Sequence, residues 1–567
     1  MEATVQRERS WLTVEVGLYL LFIGLGTALR LWGLGQRPLS PEEADLAYRG
    51  WRFYQGLGGD PTGSPFLFHA TAFSFLLFGP SDYAARLIPA LAGSILVGLP
   101  YILRSRLGRV GALLVSALLA FSPFHIFFSR ALGGETIVAL GMIALLFGLL
   151  RYGENRSPRD LYLAFGGLAL SLIADSEVYT ILIIYLSFLP LLLLSGQPAG
   201  RSWRGDLSGT WLKGLALFGV IMVLASTGGL LNPGGLQAAI DLFPAWLSQW
   251  SGQGPWSYHL FLLLTYEPLI LVLGLLGAGL LGRRNLFSAF FVYWFGVSLV
   301  LYTLMGEKWP AALLQITLPL VFLSGMLLEE LVVSIGGRIS WRKEGLYLAL
   351  SLPAVVYLFL QGGGYSHLGG VERVFLLLLA LFFLACVLFL FYSWLGREVT
   401  VRGSILLLCL VLGVLTWRAG WRVNYGMEMA KPLLGEATSP DVRNLAEALE
   451  SLSNQRERDR HSIGITLLEE NPALLWYLRG FPNTDLVSTL TGHITTPMVI
   501  TPQEELPLPN YRGQRFRLWS FWPSQGLGGR ALLEWYLYRE GPVPLTRDII
   551  MWVLQEREAS TGGGLLP

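Results

Sequence analysis

Charge is scarce in this chain. Asp, Glu, Lys and Arg make up 14% of its 567 residues against 53% hydrophobic ones, whereas a soluble globular domain carries about 25% charge. The composition is therefore not that of a soluble globular protein. Cysteine is nearly absent: Cys386 and Cys409 are the only two, and both lie inside apolar runs. That excludes a disulfide framework and a cysteine-based metal centre, and leaves two core thiols. A formal net charge of +2, with the basic residues spread over short loops, excludes nucleic acid as a partner. Histidine is rare too, and His69, His125, His259 and His367 share no metal-ligand spacing. They read as isolated packed or interfacial side chains. No internal repeat is visible.

Long apolar runs take the place of what is missing. A bilayer core about 30 Å thick needs roughly 20 apolar residues per helix, and continuous rather than alternating runs mean helices, not barrel strands. Hydropathy predicts about thirteen spans, near 11–34, 66–103, 110–129, 135–150, 160–174, 178–195, 211–229, 257–281, 286–304, 310–328, 345–361, 372–395 and 403–420. The first run is too long for a signal peptide and has no small-residue cleavage site, so a retained helix is expected. The second run exceeds one span, and its first part is expected to lie along the interface before Arg86-Leu87 enters the bilayer.

Basic residues in alternate short loops, such as Arg104/Arg106/Arg109, Arg151/Arg156/Arg159, Arg283/Arg284 and Arg397/Arg402, place the N-terminus in the cytoplasm. The expectation is a plasma-membrane protein, mainly α and polytopic over 1–423, with an extracytoplasmic α/β domain at 424–567. In that domain Ser439-Pro440-Asp441 opens an amphipathic helix through Leu452, and Ser462–Leu468 and Met498–Thr501 read as strands. The Gly-Gly-Gly stretch at 562–564 reads as a disordered tail. Between spans, Glu43–Gly56 has the pattern of a helix lying on the bilayer surface. Residues 230–256 carry Phe243, Trp246 and Trp250, which suit an interfacial aromatic belt.

The polar groups expected on the outer face are Glu42, Glu43, Asp45, His69, Arg86, Arg130, Glu135, Asp175, Glu177, Glu267, Glu307 and Lys308. Ionisable groups near a bilayer are costly to keep dry, so their clustering points to a cavity. Glu42-Glu43 has two readings. One carboxylate serves as general base toward an acceptor hydroxyl, or holds a cation, with the other as partner; or Pro41-Glu42-Glu43 is simply a helix start. Arg86, Arg130 and Lys308 are candidates for a phosphate, although Arg86 and Arg130 also suit snorkelling or pairing and Lys308 suits a pair with Glu307.

Several short motifs, taken in order, resemble one superfamily. They are Glu42-Glu43-Ala44, Phe78-Gly79 to Arg86-Leu87, Leu119-Ala120-Phe121-Ser122-Pro123 to Ser129-Arg130, and Glu307-Lys308-Trp309-Pro310. Trp417–Arg422, Thr438–Val442 and Trp476–Arg479 continue the likeness into the C-terminal domain. Together they resemble the GT-C membrane glycosyltransferases, which include protein O-mannosyltransferases and lipid A aminoarabinose transferases. The nearest likeness is to a "flippase activity-associated" branch similar to glycosyltransferase family 39. The resemblance implies a polyprenyl-phosphate sugar donor, a lipid, glycan or protein acceptor, and membrane lipids as surroundings. It makes Glu42 the catalytic base of an inverting displacement, Glu43 its partner and Glu135 a second acid. Arg86, Arg130 and Lys308 would face the donor phosphate, with His69, Glu177 and Glu307 lining the acceptor cavity.

The chain departs from that pattern at three places. Asp175-Ser176-Glu177 stands where relatives carry Thr-Lys-Glu, Gly63-Ser64-Pro65 where they carry His-Gly-Pro, and Gly133-Gly134-Glu135 where they carry Arg-Asn-Asp. A phosphate-holding lysine is thereby lost. A divalent cation, Mg²⁺ or Mn²⁺, would find oxygen ligands in Glu42 and Glu135. Two other functional classes compete with the enzyme: a flippase accessory or transporter that handles lipid-linked glycans, and a scaffold whose C-terminal domain binds a partner.

Overall fold

The computed structural model describes residues 13–194, 209–335, 341–426, 435–489, 496–502, 510–522, 529–538 and 544–555. The tail at 562–564 lies outside the described residues. Two compact units emerge, and neither is one stretch of chain. The first takes 1–34, 58–426 and 527–541, and the second 35–57, 427–526 and 542–567. A single cut between 423 and 424 therefore does not reproduce them: one helix near the N-terminus and one near the C-terminus change sides.

The first unit is a bundle of apolar helices, and this is a multi-pass membrane protein. Among the described residues eight helices are long and apolar enough to cross a membrane, or ten if each of two bent pairs is one span. About thirteen were expected. The difference lies in Pro158–Ala174, Val178–Leu194 and Thr210–Ser226, which are helices of 17 residues each. At 1.5 Å per residue such a helix is about 26 Å long, at the lower end of what crosses a ~30 Å hydrocarbon core. The long second run resolves into two helices, Pro65–Phe78 and Asp82–Gly98, parted at Gly79 with φ +77°. Only a residue without a Cβ takes that backbone conformation cheaply.

Two expected spans are broken in the middle. Arg109–Phe121 and Pro123–Ser129 meet at 58°, and Tyr258–Tyr266 and Pro268–Leu281 at 108°. Each break precedes a proline, whose ring pushes the preceding residue out of helical geometry. The freed backbone groups find side chains. Phe124 N–H donates to Glu267 Oε1 at 3.0 Å, Leu269 N–H to Thr416 Oγ1 at 3.2 Å, and Asn424 Nδ2 to the Pro123 carbonyl at 3.2 Å.

Residues 230–256 form a helix, Gly234–Ser248. Trp246 is buried there and donates to Thr180 Oγ1 at 2.9 Å, so it packs inward instead of belonging to an exposed belt. The helix Gly529–Tyr538, although it lies between two strands in sequence, belongs to the first unit. Arg530 reaches the His367 carbonyl at 3.1 Å, and Glu534 pairs with His367 at 2.8 Å.

The second unit is built on a six-stranded sheet. Its strands are β1 (Glu436–Thr438), β2 (Ile465–Leu467), β3 (Thr484–Leu486), β4 (Met498–Pro502), β5 (Tyr511–Phe521) and β6 (Leu545–Leu554), in the order β1-β5-β6-β4-β2-β3. The pairs β2/β3 and β2/β4 are parallel and the others antiparallel. Val442, Leu445 and Leu449 of the helix Asp441–Glu457 pack on Ile465, Leu467, Met498, Ile500, Ile549 and Met551. Their spacing of three and four residues is what seats that helix on the sheet.

Candidate functional site

The helix Pro41–Tyr54 carries Glu42 and Glu43 and lies in the second unit. Ser40 Oγ accepts from the Glu43 N–H at 3.3 Å, and Glu43 Oε2 accepts from the Ser40 N–H at 2.8 Å. This is a capping box, with Pro41 at the first helical position. Arg37 lies 3.9 Å from the same carboxylate, and Glu43 is 4% exposed. The helix-start reading thus describes Glu43. Glu42, one position earlier, is exposed. Asp45 pairs with Arg49 at 2.7 Å. The apolar face of this helix, Ala44, Leu46 and Ala47, is buried.

In the first unit the structure brings Glu135, Glu177, Glu307 and Lys308 into one neighbourhood. Glu135 opens a helix after Gly133-Gly134; a side chain on Gly134 would meet backbone, and one on Gly133 would displace the Glu135 carboxylate. A Cβ on Gly133 would lie 2.1 Å from Glu135 Oε2, and one on Gly134 would lie 2.1 Å from the Ala174 carbonyl and 2.8 Å from Asp175 Cβ. The missing side chain at Gly134 thus lets the Glu135 turn press against Ala174-Asp175. Asp175 Oδ1 accepts from the Glu177 N–H at 3.0 Å, and the Tyr302 hydroxyl donates to Glu177 Oε2. Gln249 Nε2 donates to Ser176 Oγ at 3.1 Å, while its carbonyl accepts from the Glu307 N–H at 3.1 Å. Lys308 Nζ donates to the carbonyls of Tyr302, Thr303 and Met305 at 3.2, 2.7 and 2.5 Å. Glu307 itself is exposed.

Burial pushes the Glu177 carboxyl up to about 8, the nearby Asp175 adds to the rise, and the Tyr302 hydroxyl opposes it. Burial also lowers Lys308 from its usual value. Glu177 therefore holds its proton more tightly in the fold than in the unfolded chain. Its contribution to stability is full below the ordinary value of 4.5 and is lost as pH rises through about 8. The melting temperature should fall across that window, and Glu177→Gln should flatten the fall. An unchanged pH profile in the glutamine variant would show that Glu177 does not titrate there.

Arg86 and Arg130 meet at the C-terminal end of the helix Val14–Leu31. Arg130 Nη1 donates to the carbonyls of Leu29, Arg30 and Trp32 at 3.0, 3.0 and 2.6 Å, and Nη2 to Gly33 at 3.2 Å. Its guanidinium stands 4.7 Å over the Tyr425 ring. Arg86 Nη1 donates to the Leu34 carbonyl at 3.1 Å. Cations suit this place because helix carbonyls are unpaired there and the helix dipole is negative. A third arginine, Arg30, is fully buried and bonds the Gly26 and Leu119 carbonyls at 2.9 and 3.0 Å. Sequence reasoning passed over it, although an arginine inside an apolar run was the visible signal.

His69 lies in the same unit, its Nδ1 2.8 Å from the Pro65 carbonyl. A Cβ on Gly228 would come within 2.4 Å of its ring. Glu267, fully buried, accepts from Ser122 Oγ and the Phe124 N–H. Among the described residues no group of three or more His, Cys, Asp or Glu is placed to hold a metal ion.

Residues 62–226 match the dolichyl-phosphate-mannose-protein mannosyltransferase family. No curated protein matches. The structure is similar to ArnT from Cupriavidus metallidurans bound to undecaprenyl phosphate, at 17% identity and a TM-score of 0.52, covering 82% of this chain and 85% of that one. The apo form of the same protein gives the same values. An oligosaccharyltransferase from Archaeoglobus fulgidus tethered to an acceptor peptide is also similar, at 11% identity and a TM-score of 0.44, covering 83% of this chain and 63% of that one. The chain is a multi-pass membrane protein with the GT-C fold.

Proposed function

We propose that this protein is a membrane glycosyltransferase that moves a sugar from a polyprenyl phosphate to a lipid, glycan or protein acceptor. The observation that carries the reading is the mannosyltransferase match at 62–226. The fold shared with a protein whose structure holds undecaprenyl phosphate supports it.

In this reading Glu42 is the base. Its carboxylate takes the proton of the acceptor hydroxyl as that oxygen attacks the anomeric carbon. The carbon–oxygen bond to phosphate breaks, and the polyprenyl phosphate leaves with the electron pair, inverting the configuration. Glu43 fixes the helix start that carries the base, and Glu135 is the second acid. Arg86, Arg130 and Lys308 supply the positive field that a leaving phosphate needs in a water-poor place. Because Arg130 and Lys308 already donate to several backbone carbonyls, these two act through charge more than through direct grip. Glu177, His69 and Glu307 shape the acceptor side. The reaction belongs on the outer face of the cell membrane, with the N-terminus in the cytoplasm.

Purified protein in vesicles containing a polyprenyl-phosphate hexose should release polyprenyl phosphate when an acceptor is added. Release no faster than in protein-free vesicles, over a panel of lipid, glycan and peptide acceptors, would end the transferase reading.

A further inference from the structure

Residues 35–57 belong to the second unit, although the chain on both sides of them, up to 34 and from 58, belongs to the first. Three contacts within the second unit show what holds them. Arg443, on the helix Asp441–Glu457, donates from Nη1 to the Gln36 carbonyl and from Nη2 to the Gly35 carbonyl, both at 2.8 Å. Its guanidinium lies 5.9 Å above the Tyr477 ring. The Tyr477 hydroxyl accepts from the Leu39 N–H at 3.0 Å, and Leu39 is fully buried. The helix Pro41–Tyr54 then packs against Pro472–Tyr477, and its Ala44, Leu46 and Ala47 are buried.

We propose that the C-terminal unit carries the Glu42 helix as one of its own elements and sets the position of that carboxylate, with Arg443 and Tyr477 as positioning residues. The inference rests on Glu42 being the base. A guanidinium fork reaches two successive carbonyls at once, which a single ammonium cannot do in the same geometry. The loop that precedes the capping box is thereby fixed at Gly35, Gln36 and Leu39, three to seven residues before Glu42. A base displaced by about 1 Å loses about 10²-fold in rate. Arg443 and Tyr477 therefore contribute to turnover without touching the reacting atoms.

The test uses full-length Arg443→Ala, Arg443→Lys and Tyr477→Phe proteins, with turnover and hydrogen exchange measured on the same preparations. Arg443→Ala should lower kcat about 10- to 100-fold while the donor KM stays within about 2-fold. It should also speed exchange in 35–57 while 441–467 stays protected. Arg443→Lys should restore only part of kcat, and Tyr477→Phe, which changes no charge, should give a smaller effect of the same kind. Unchanged exchange in 35–57 in Arg443→Ala would overturn the proposal. So would wild-type kcat in Arg443→Ala beside an inactive Glu42→Gln, which would leave Glu42 as the base. If instead Glu42→Gln were fully active while exchange in 35–57 rose, the base assignment would fall and the anchoring of the helix would stand.

Discussion

Glu42→Gln is expected to lower turnover about 10²- to 10⁴-fold, the usual worth of a general base, with the protein still folded. Glu42 is exposed and makes no part of the capping box, so its loss should lower the melting temperature less than loss of Glu43 does. Glu42→Asp should keep part of the activity, since the change retains a carboxylate at the same backbone position. Glu43→Ala gives the contrast. That side chain accepts the Ser40 N–H and lies near Arg37, so its removal should cost about 1 kcal/mol of stability and reduce turnover less than Glu42→Gln does. Release of polyprenyl phosphate together with a thermal melt on each variant separates the two roles. Equal turnover in Glu42→Gln and wild type would remove the base from the mechanism.

The bundle is legible in the sequence because a long apolar run has few solutions in a bilayer, and the cap at Ser40-Pro41-Glu42-Glu43 is written in four neighbouring residues. The sheet is partly legible for the same local reason: Met498–Thr501 falls within β4 and Ser462–Leu468 encloses β2. The breaks are less so. Ser122-Pro123 and Glu267-Pro268 mark them, but hydropathy averages across a single proline and draws one straight span. What could not be read is pairing at long range. Arg443 and Gln36 are 407 residues apart, and Tyr302 and Glu177 are 125 apart; no periodicity links such partners. The same blindness leaves Arg130 a candidate for a phosphate or a carboxylate, when four carbonyls from Leu29 to Gly33 hold it. Ownership of the helix Pro41–Tyr54 by the second unit is a fact of that kind: its sequence describes an amphipathic helix, and only the fold says what its apolar face meets.

Glu267→Ala is expected to destabilise the membrane unit by about 2–6 kcal/mol. The fully buried carboxylate receives two donors, the Ser122 hydroxyl and the Phe124 N–H, both at the first broken span, while Glu267 itself sits at the break of the second. Each buried donor left unsatisfied costs about 1–3 kcal/mol, and no water replaces the lost acceptor in a bilayer interior. Ser122 Oγ also meets His125 Nδ1 at 2.9 Å, so the loss should spread into the short helix Pro123–Ser129. Glu267→Gln keeps a carbonyl oxygen able to accept both bonds and should cost much less. Thermal unfolding in detergent, followed with the fraction of monodisperse protein, reads the difference. An alanine variant that melts with the wild type would show that the two breaks hold without this tie, and would return Glu267 to the acids whose reason for lying in a membrane is chemical.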